Sequence, residues 1–217
     1  MGEVITDNDY FVNHDKVRRF PWSLYHRPLE RELVAFLRRV SVERPNGSTL
    51  VIGCGLMQEL SLAPRDMSFT AVDIDERAVQ AVSSFGDPRV TARAIRPEDD
   101  PTVLGQRFDA IYAKEVIEHI NPWEPYLDAL RDTLNPGGQL WLSTPNYGDP
   151  WLPLLEQTVL EVIARRDGFT RQGLHPSPFT QDSLTDALEA ARFEEVEVKK
   201  VSRKLALVAT ARRPRDP

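Results

Sequence analysis

The stretch Leu50-Val51-Ile52-Gly53-Cys54-Gly55 decides the fold of this 217-residue chain. An apolar run of strand length breaks into glycines, as a buried strand does where the backbone must come close to a ligand. Working outward, Ala71-Val72-Asp73-Ile74-Asp75 is a second apolar run, and its first acid stands twenty residues after Gly53. A carboxylate there can accept hydrogen bonds from both ribose hydroxyls of a bound nucleoside. Two further segments follow in order, Phe108 to His119 (FDAIYAKEVIEH) and Leu134-Asn135-Pro136-Gly137-Gly138. Apolar runs near 49–53, 69–73, 90–95 and 108–113 alternate with helical patterns near 56–62 and 75–83, the mark of βαβ units and a parallel sheet. Together these segments describe a nucleotide-binding α/β sheet.

The flanks are read in the same way. Residues 1–20 show no clean period and suggest an arm or lid. Leu29, Leu33, Phe36, Leu37 and Val40 recur at helical spacing behind Pro28, and Asn46-Gly47 supplies a turn before the first strand. Asn121-Pro122 with Glu124 reads as an N-cap, a first-turn proline and an acidic first turn, ahead of Leu127, Leu130 and Leu134 on one helical face. Strand five is expected over Gln139 to Ser143. Residues 147–179 then interrupt the alternation with Tyr147, Trp151, an apolar helix over 152–163, Phe169, His175 and Phe179. Excursions after the strands of an open α/β sheet overhang its ligand crevice, so this one is read as a substrate cap. Thr180 caps a helix with Leu184, Leu188 and Ala191 inward, and Glu195 to Val201 and Lys204 to Ala211 are the closing strands.

Bulk properties bound the rest. The length suits one domain with a decoration. The single cysteine allows no intramolecular disulfide. Neither a secretory signal nor an apolar run near the roughly twenty residues that span a bilayer is found, so the expected compartment is the cytoplasm. With 33 acidic against 27 basic residues and a formal net charge of −6, a global field attracting nucleic acid is disfavoured.

The four segments resemble the class I S-adenosylmethionine-dependent methyltransferases, especially the small-molecule branch that includes the ubiquinone-biosynthesis O-methyltransferases, over roughly residues 25–210. The resemblance implies a Rossmann-like doubly wound α/β sheet of seven strands, mostly parallel with an antiparallel last strand. It implies one domain, divided into an arm (1–27), a cofactor-binding core (28–143), a substrate cap (144–179) and a closing helix and strands (180–211). S-adenosylmethionine is the implied cofactor, with S-adenosylhomocysteine as product. Gly53, Cys54 and Gly55 match the family's turn against the methionine moiety, and Asp73, followed by Ile74, stands where the ribose-binding acid lies. Glu98 or Asp99 would meet the adenine amino group, and Lys114 and Glu115 fall in the loop that backs the cofactor. Two positions depart from the pattern: the family usually has an acid at Val51 and a third glycine at Met57. Met57 is expected to put bulk near the amino-acid end of the cofactor.

Glu115-Val116-Ile117-Glu118-His119 is the sharpest chemical constellation. On a turn of helix, spacings of three and four put both acids and the histidine roughly on one face. His119 can then serve as general base toward a substrate hydroxyl, oriented by Glu118 or Glu115. Alternatively, these three with His175 can hold a divalent metal, as in the small-RNA 3′-terminal ribose 2′-O-methyltransferases that carry a similar segment. The surroundings of His175 resemble the small-molecule enzymes better, so no metal is expected, and His175 joins His119 and Glu118 as a catalytic candidate. Trp141 is expected in the core, Trp22 and Trp151 over the substrate, and Tyr25 or Arg27 near the cofactor carboxylate. The reading is O-methylation of a small molecule, against two alternatives: the metal-dependent RNA enzyme, and a non-catalytic scaffold in which Val51 and Met57 have eroded the site.

Overall fold

Residues 20, 22–149 and 176–215 are described by a computed structural model of the chain. Seven strands form one sheet in the order β3-β2-β1-β4-β5-β7-β6. They are β1 (Ser48–Ile52), β2 (Ser68–Asp73), β3 (Val90–Ala94), β4 (Phe108–Lys114), β5 (Leu134–Pro145), β6 (Glu194–Val201) and β7 (Ala206–Arg212). Neighbours from β3 through β5 pair in parallel, and β7 runs antiparallel to both β5 and β6. This is the doubly wound sheet expected from the sequence.

Alternation along the strands builds a core on each face. Leu50 and Ile52 of β1 join Ile111 and Ala113 of β4 in one cluster, covered by α3 (Glu124–Thr133) and α4 (Gln181–Ala190). Val51 and Tyr112 project to the opposite face, into a cluster with Leu29, Leu33, Phe36, Leu37 and Val40 of α1 (Ser23–Glu43) and Ala78 and Val82 of α2 (Glu76–Ser83). All five of those α1 residues are fully buried, as their spacing predicts. Trp141 is likewise buried in β5.

Local punctuation is partly as read. Thr180 opens α4 with a capping box, exchanging bonds with Ser183. Asp75 caps α2 by accepting from the Arg77 N–H at 2.9 Å. Several boundaries differ from the expectation. The helix expected near 56–62 is only a short 3-10 stretch, Gln58–Leu62, because Met57 sits in the left-handed region at φ 40° and breaks the helical path. Helix α3 starts at Glu124, with Trp123 at the N-cap position and Pro125 in the first turn, so Asn121 and Pro122 lie before it. Leu134 opens β5 opposite Phe108 and keeps its buried place as a strand residue. The closing strand begins at Ala206, since Ser202, Arg203 and Lys204 all take positive φ in a tight turn.

Order reverses between β1 and β4, so the crevice for a ligand lies beyond their carboxyl ends. The turn after β1, the end of β2 and the segment after β4 all open there.

Candidate functional site

The turn after β1 is shaped by three left-handed residues, Gly53 (φ 64°), Gly55 (φ 48°) and Met57 (φ 40°). At Gly53 a Cβ would stand 2.7 Å from Val116 Cγ2, so only glycine lets the turn meet the segment beyond β4. The Cys54 N–H donates to the Val72 carbonyl, and its thiol is buried, which leaves Cys54 shaping the turn rather than presenting sulfur to the crevice. Burial, with Asp73 and Glu59 nearby, pushes that thiol well above its usual range and keeps it protonated.

Asp73, the last residue of β2, reaches back to this turn. Its Oδ2 accepts from the Gly55 N–H at 2.9 Å and its Oδ1 from the Asp75 N–H at 3.0 Å. Each oxygen keeps acceptor capacity for a second donor, as two vicinal hydroxyls require. Burial, with the neighbouring Asp75 charge, raises this carboxyl above the usual aspartate range, against the pull of the Asp75, Gly55 and Ile74 backbone N–H groups. Because Asp75 serves as the cap, Asp73 is spared that duty. Beside it Ile74 is 42% exposed, an apolar platform at the rim. After β3, Asp99 is taken up within its own turn by the Arg96 N–H and guanidinium at 3.1 and 2.9 Å, whereas Glu98 extends into solvent with Arg96 at 3.6 Å. Of the two adenine candidates, Glu98 is the one whose carboxylate remains open to solvent.

The segment after β4 departs from the one-face expectation. Glu115 takes φ 58° and lies outside the helical path, and only Ile117–His119 forms a 3-10 turn. Glu115 accepts from the Tyr25 hydroxyl at 2.7 Å and the Ser143 hydroxyl at 2.8 Å, so the start of α1 is tied to the crevice wall. Glu118 is buried while His119 is exposed. The two acids and the histidine therefore do not share one helical face, since a single 3-10 turn does not reproduce the spacing of an α-helix. Ser177 backs the turn, its N–H donating to the Glu118 carbonyl and its hydroxyl to the Ile120 carbonyl. His175 and Trp151 lie outside the described residues. Among the described residues, no three His, Cys, Asp or Glu gather in a way that would hold a metal ion.

Both departures at the β1 turn go into the core. Val51 is fully buried between Ala71 and Tyr112 of the flanking strands, and Met57 is 2% exposed in the α1-side cluster rather than standing in the crevice. Sequence reading missed one functional-looking group, Glu59. It is 2% exposed, accepts from the Tyr112 hydroxyl at 2.9 Å and pairs with Lys114 at 3.1 Å. Burial pushes its carboxyl up, but Lys114, the backbone and Tyr112 more than offset this and leave it below the usual glutamate range. The missing acid at Val51 was the only hint of it.

These residues fit S-adenosylmethionine: a glycine turn with no room for a Cβ at Gly53, an acid at the end of β2 beside it, and an exposed apolar residue next to that acid. Comparison with known proteins agrees. A model of the family described as "Methyltransferase domain" matches residues 25–198. The mitochondrial ubiquinone biosynthesis O-methyltransferase of Homo sapiens is 32% identical over 104 residues, covering 45% of this chain and 28% of that protein. The ubiquinone biosynthesis O-methyltransferase of Dinoroseobacter shibae is 33% identical over 98 residues, 44% of this chain and 38% of its own. The chain thus spans well under half the length of these curated relatives. Magnesium protoporphyrin IX methyltransferase of Synechocystis, solved with bound S-adenosylhomocysteine, superposes with a TM-score of 0.66 at 17% identity over 94% of this chain and 97% of that one.

Proposed function

This chain belongs to the methyltransferase domain family and is an S-adenosylmethionine-dependent enzyme, and we propose that it methylates a hydroxyl group of a small-molecule acceptor. The observation that carries the reading of the acceptor is His119, exposed on the turn beyond β4 next in sequence to the buried Glu118. The names of the curated O-methyltransferase relatives point the same way.

When bound, the cofactor supplies an electrophilic methyl group on a sulfonium. The chain's part is alignment, exclusion of water and management of one proton. Asp73 would hold the ribose hydroxyls, Ile74 the base, and the turn at 53–55 the methionine moiety. Glu98 would reach the adenine amino group, while Asp99 builds the turn that carries it. His119 would accept the proton from the acceptor hydroxyl, since imidazole changes charge near neutral pH. We assign acceptor recognition to the arm at 1–27 and the cap at 144–179, and residence to the cytoplasm from composition. No helix among the described residues is long and apolar enough to cross a membrane.

The metal-assisted RNA reading would need Glu115, Glu118 and His119 to face one ion, and Glu115 is instead turned to Tyr25 and Ser143. The scaffold reading needs Val51 or Met57 to close the turn, and both side chains are in the core.

Transfer of labelled methyl from S-adenosylmethionine to a panel of phenols, catechols and amines tests the proposal. Label on hydroxyl acceptors is expected. In His119→Ala, kcat should fall by about 10²–10⁴-fold with cofactor affinity unchanged, together with loss of the acidic limb of the pH–rate profile. Label on amines or carbon alone would overturn it.

A further inference from the structure

We infer that Glu59 replaces the acid absent at Val51, and that it does so by positioning Lys114 as the anchor for the carboxylate of the cofactor's amino-acid end. The inference rests on the cofactor assignment above and names the residues of that subsite in this chain.

The geometry begins in the sheet. Val51 of β1 and Tyr112 of β4 are register partners in a parallel pair, so their side chains leave the same face side by side. Lys114, two residues beyond Tyr112, shares that face at the carboxyl end of β4. An acid at position 51 would project among these groups. Here Val51 is fully buried and apolar, and the acid arrives from the 3-10 stretch instead: one Glu59 oxygen accepts from Tyr112 at 2.9 Å, the other from Lys114 at 3.1 Å.

The two halves of the ion pair are not equally hidden. The Glu59 side chain is 3% exposed and both its oxygens are engaged, so it has no room for a ligand. Lys114, the last residue of β4, is 24% exposed, and its ammonium has three donors, of which Glu59 takes one. A cation fixed by a buried acid and still partly exposed suits a carboxylate, and the amino-acid end of S-adenosylmethionine carries one. Glu59 touches no substrate in this arrangement and is a positioning residue.

Paired ligands test this. S-adenosylhomocysteine has the amino-acid end, and 5′-methylthioadenosine lacks it but keeps the ribose and base. We expect wild-type protein to prefer S-adenosylhomocysteine. Lys114→Met should lose about tenfold to a hundredfold in S-adenosylhomocysteine affinity, the size of one charge-assisted hydrogen bond, with 5′-methylthioadenosine binding unchanged. Lys114→Arg should retain most of the preference, and Glu59→Gln should lose part of it. Circular dichroism and melting establish that each variant is folded. Because Glu59 is buried, Lys114→Met keeps the test decisive should Glu59→Gln fail to fold. Equal weakening toward both ligands, or an unchanged preference in Lys114→Met, overturns the inference alone. Wild-type protein that binds neither ligand overturns the cofactor assignment and the inference together.

Discussion

Replacing Met57 by glycine and by alanine should separate what its side chain does from what its backbone does. The side chain is 2% exposed in the α1-side core, so truncation to alanine removes packing worth about 3 kcal/mol. Alanine keeps the strained left-handed backbone at φ 40°, whereas glycine relieves about 1.5 kcal/mol of it. Glycine also gives the unfolded chain extra freedom, which costs about 0.7 kcal/mol. The net loss for Met57→Gly is then about 2 kcal/mol, near 4–8 °C in Tm for a domain of this size, and Met57→Ala should melt a few degrees lower still. Differential scanning calorimetry gives the order, and titration with S-adenosylhomocysteine should give a Kd within about twofold of wild type for both variants, as neither touches the crevice. Alanine more stable than glycine would refute the backbone argument. A large gain in cofactor affinity in Met57→Gly would refute the placement of the side chain in the core.

Glu59 should also mark acid stability. Its folded pKa is depressed below the ordinary glutamate value of 4.5, so its contribution is fully present above that value and is lost as pH falls through the lower folded one. Glu59→Gln should flatten this part of the stability–pH curve, and an unchanged slope in urea melts at several pH values would contradict the pairing. Tyr25→Phe removes the hydroxyl that ties α1 to Glu115, and about 1 kcal/mol, or some 2–4 °C in Tm, should go with it. If Glu115→Gln on top of Tyr25→Phe costs as much as it does alone, the bond is not there.

The sheet was legible because its signals are local. The period of Leu29 to Val40, the run Leu50 to Ile52 breaking at Gly53, and the Thr180 cap each need only neighbouring residues. The misread boundaries arose where two local rules competed. Asn121-Pro122 and Trp123-Glu124-Pro125 both look like helix starts, and the second carries α3. Leu134 satisfies a helical stripe and a strand end equally, and pairing with Phe108 decides for the strand. The Glu115–His119 segment was misjudged because its spacing means one face only on an α-helix, and Glu115 takes a left-handed turn to meet Tyr25, ninety residues earlier. Glu59 was illegible for a related reason: its partners Tyr112 and Lys114 lie more than fifty residues along the chain, and only the parallel pairing of β1 with β4 brings them near.

The most direct measurement is calorimetric titration of the wild-type protein and Asp73→Ala with S-adenosylmethionine and S-adenosylhomocysteine, with melting curves to show that both are folded. Micromolar binding to wild type that weakens at least about a hundredfold in Asp73→Ala is predicted, since two hydrogen bonds to a carboxylate are lost. Folded wild-type protein that binds neither compound, or a folded variant that binds both as tightly as wild type, would contradict the account.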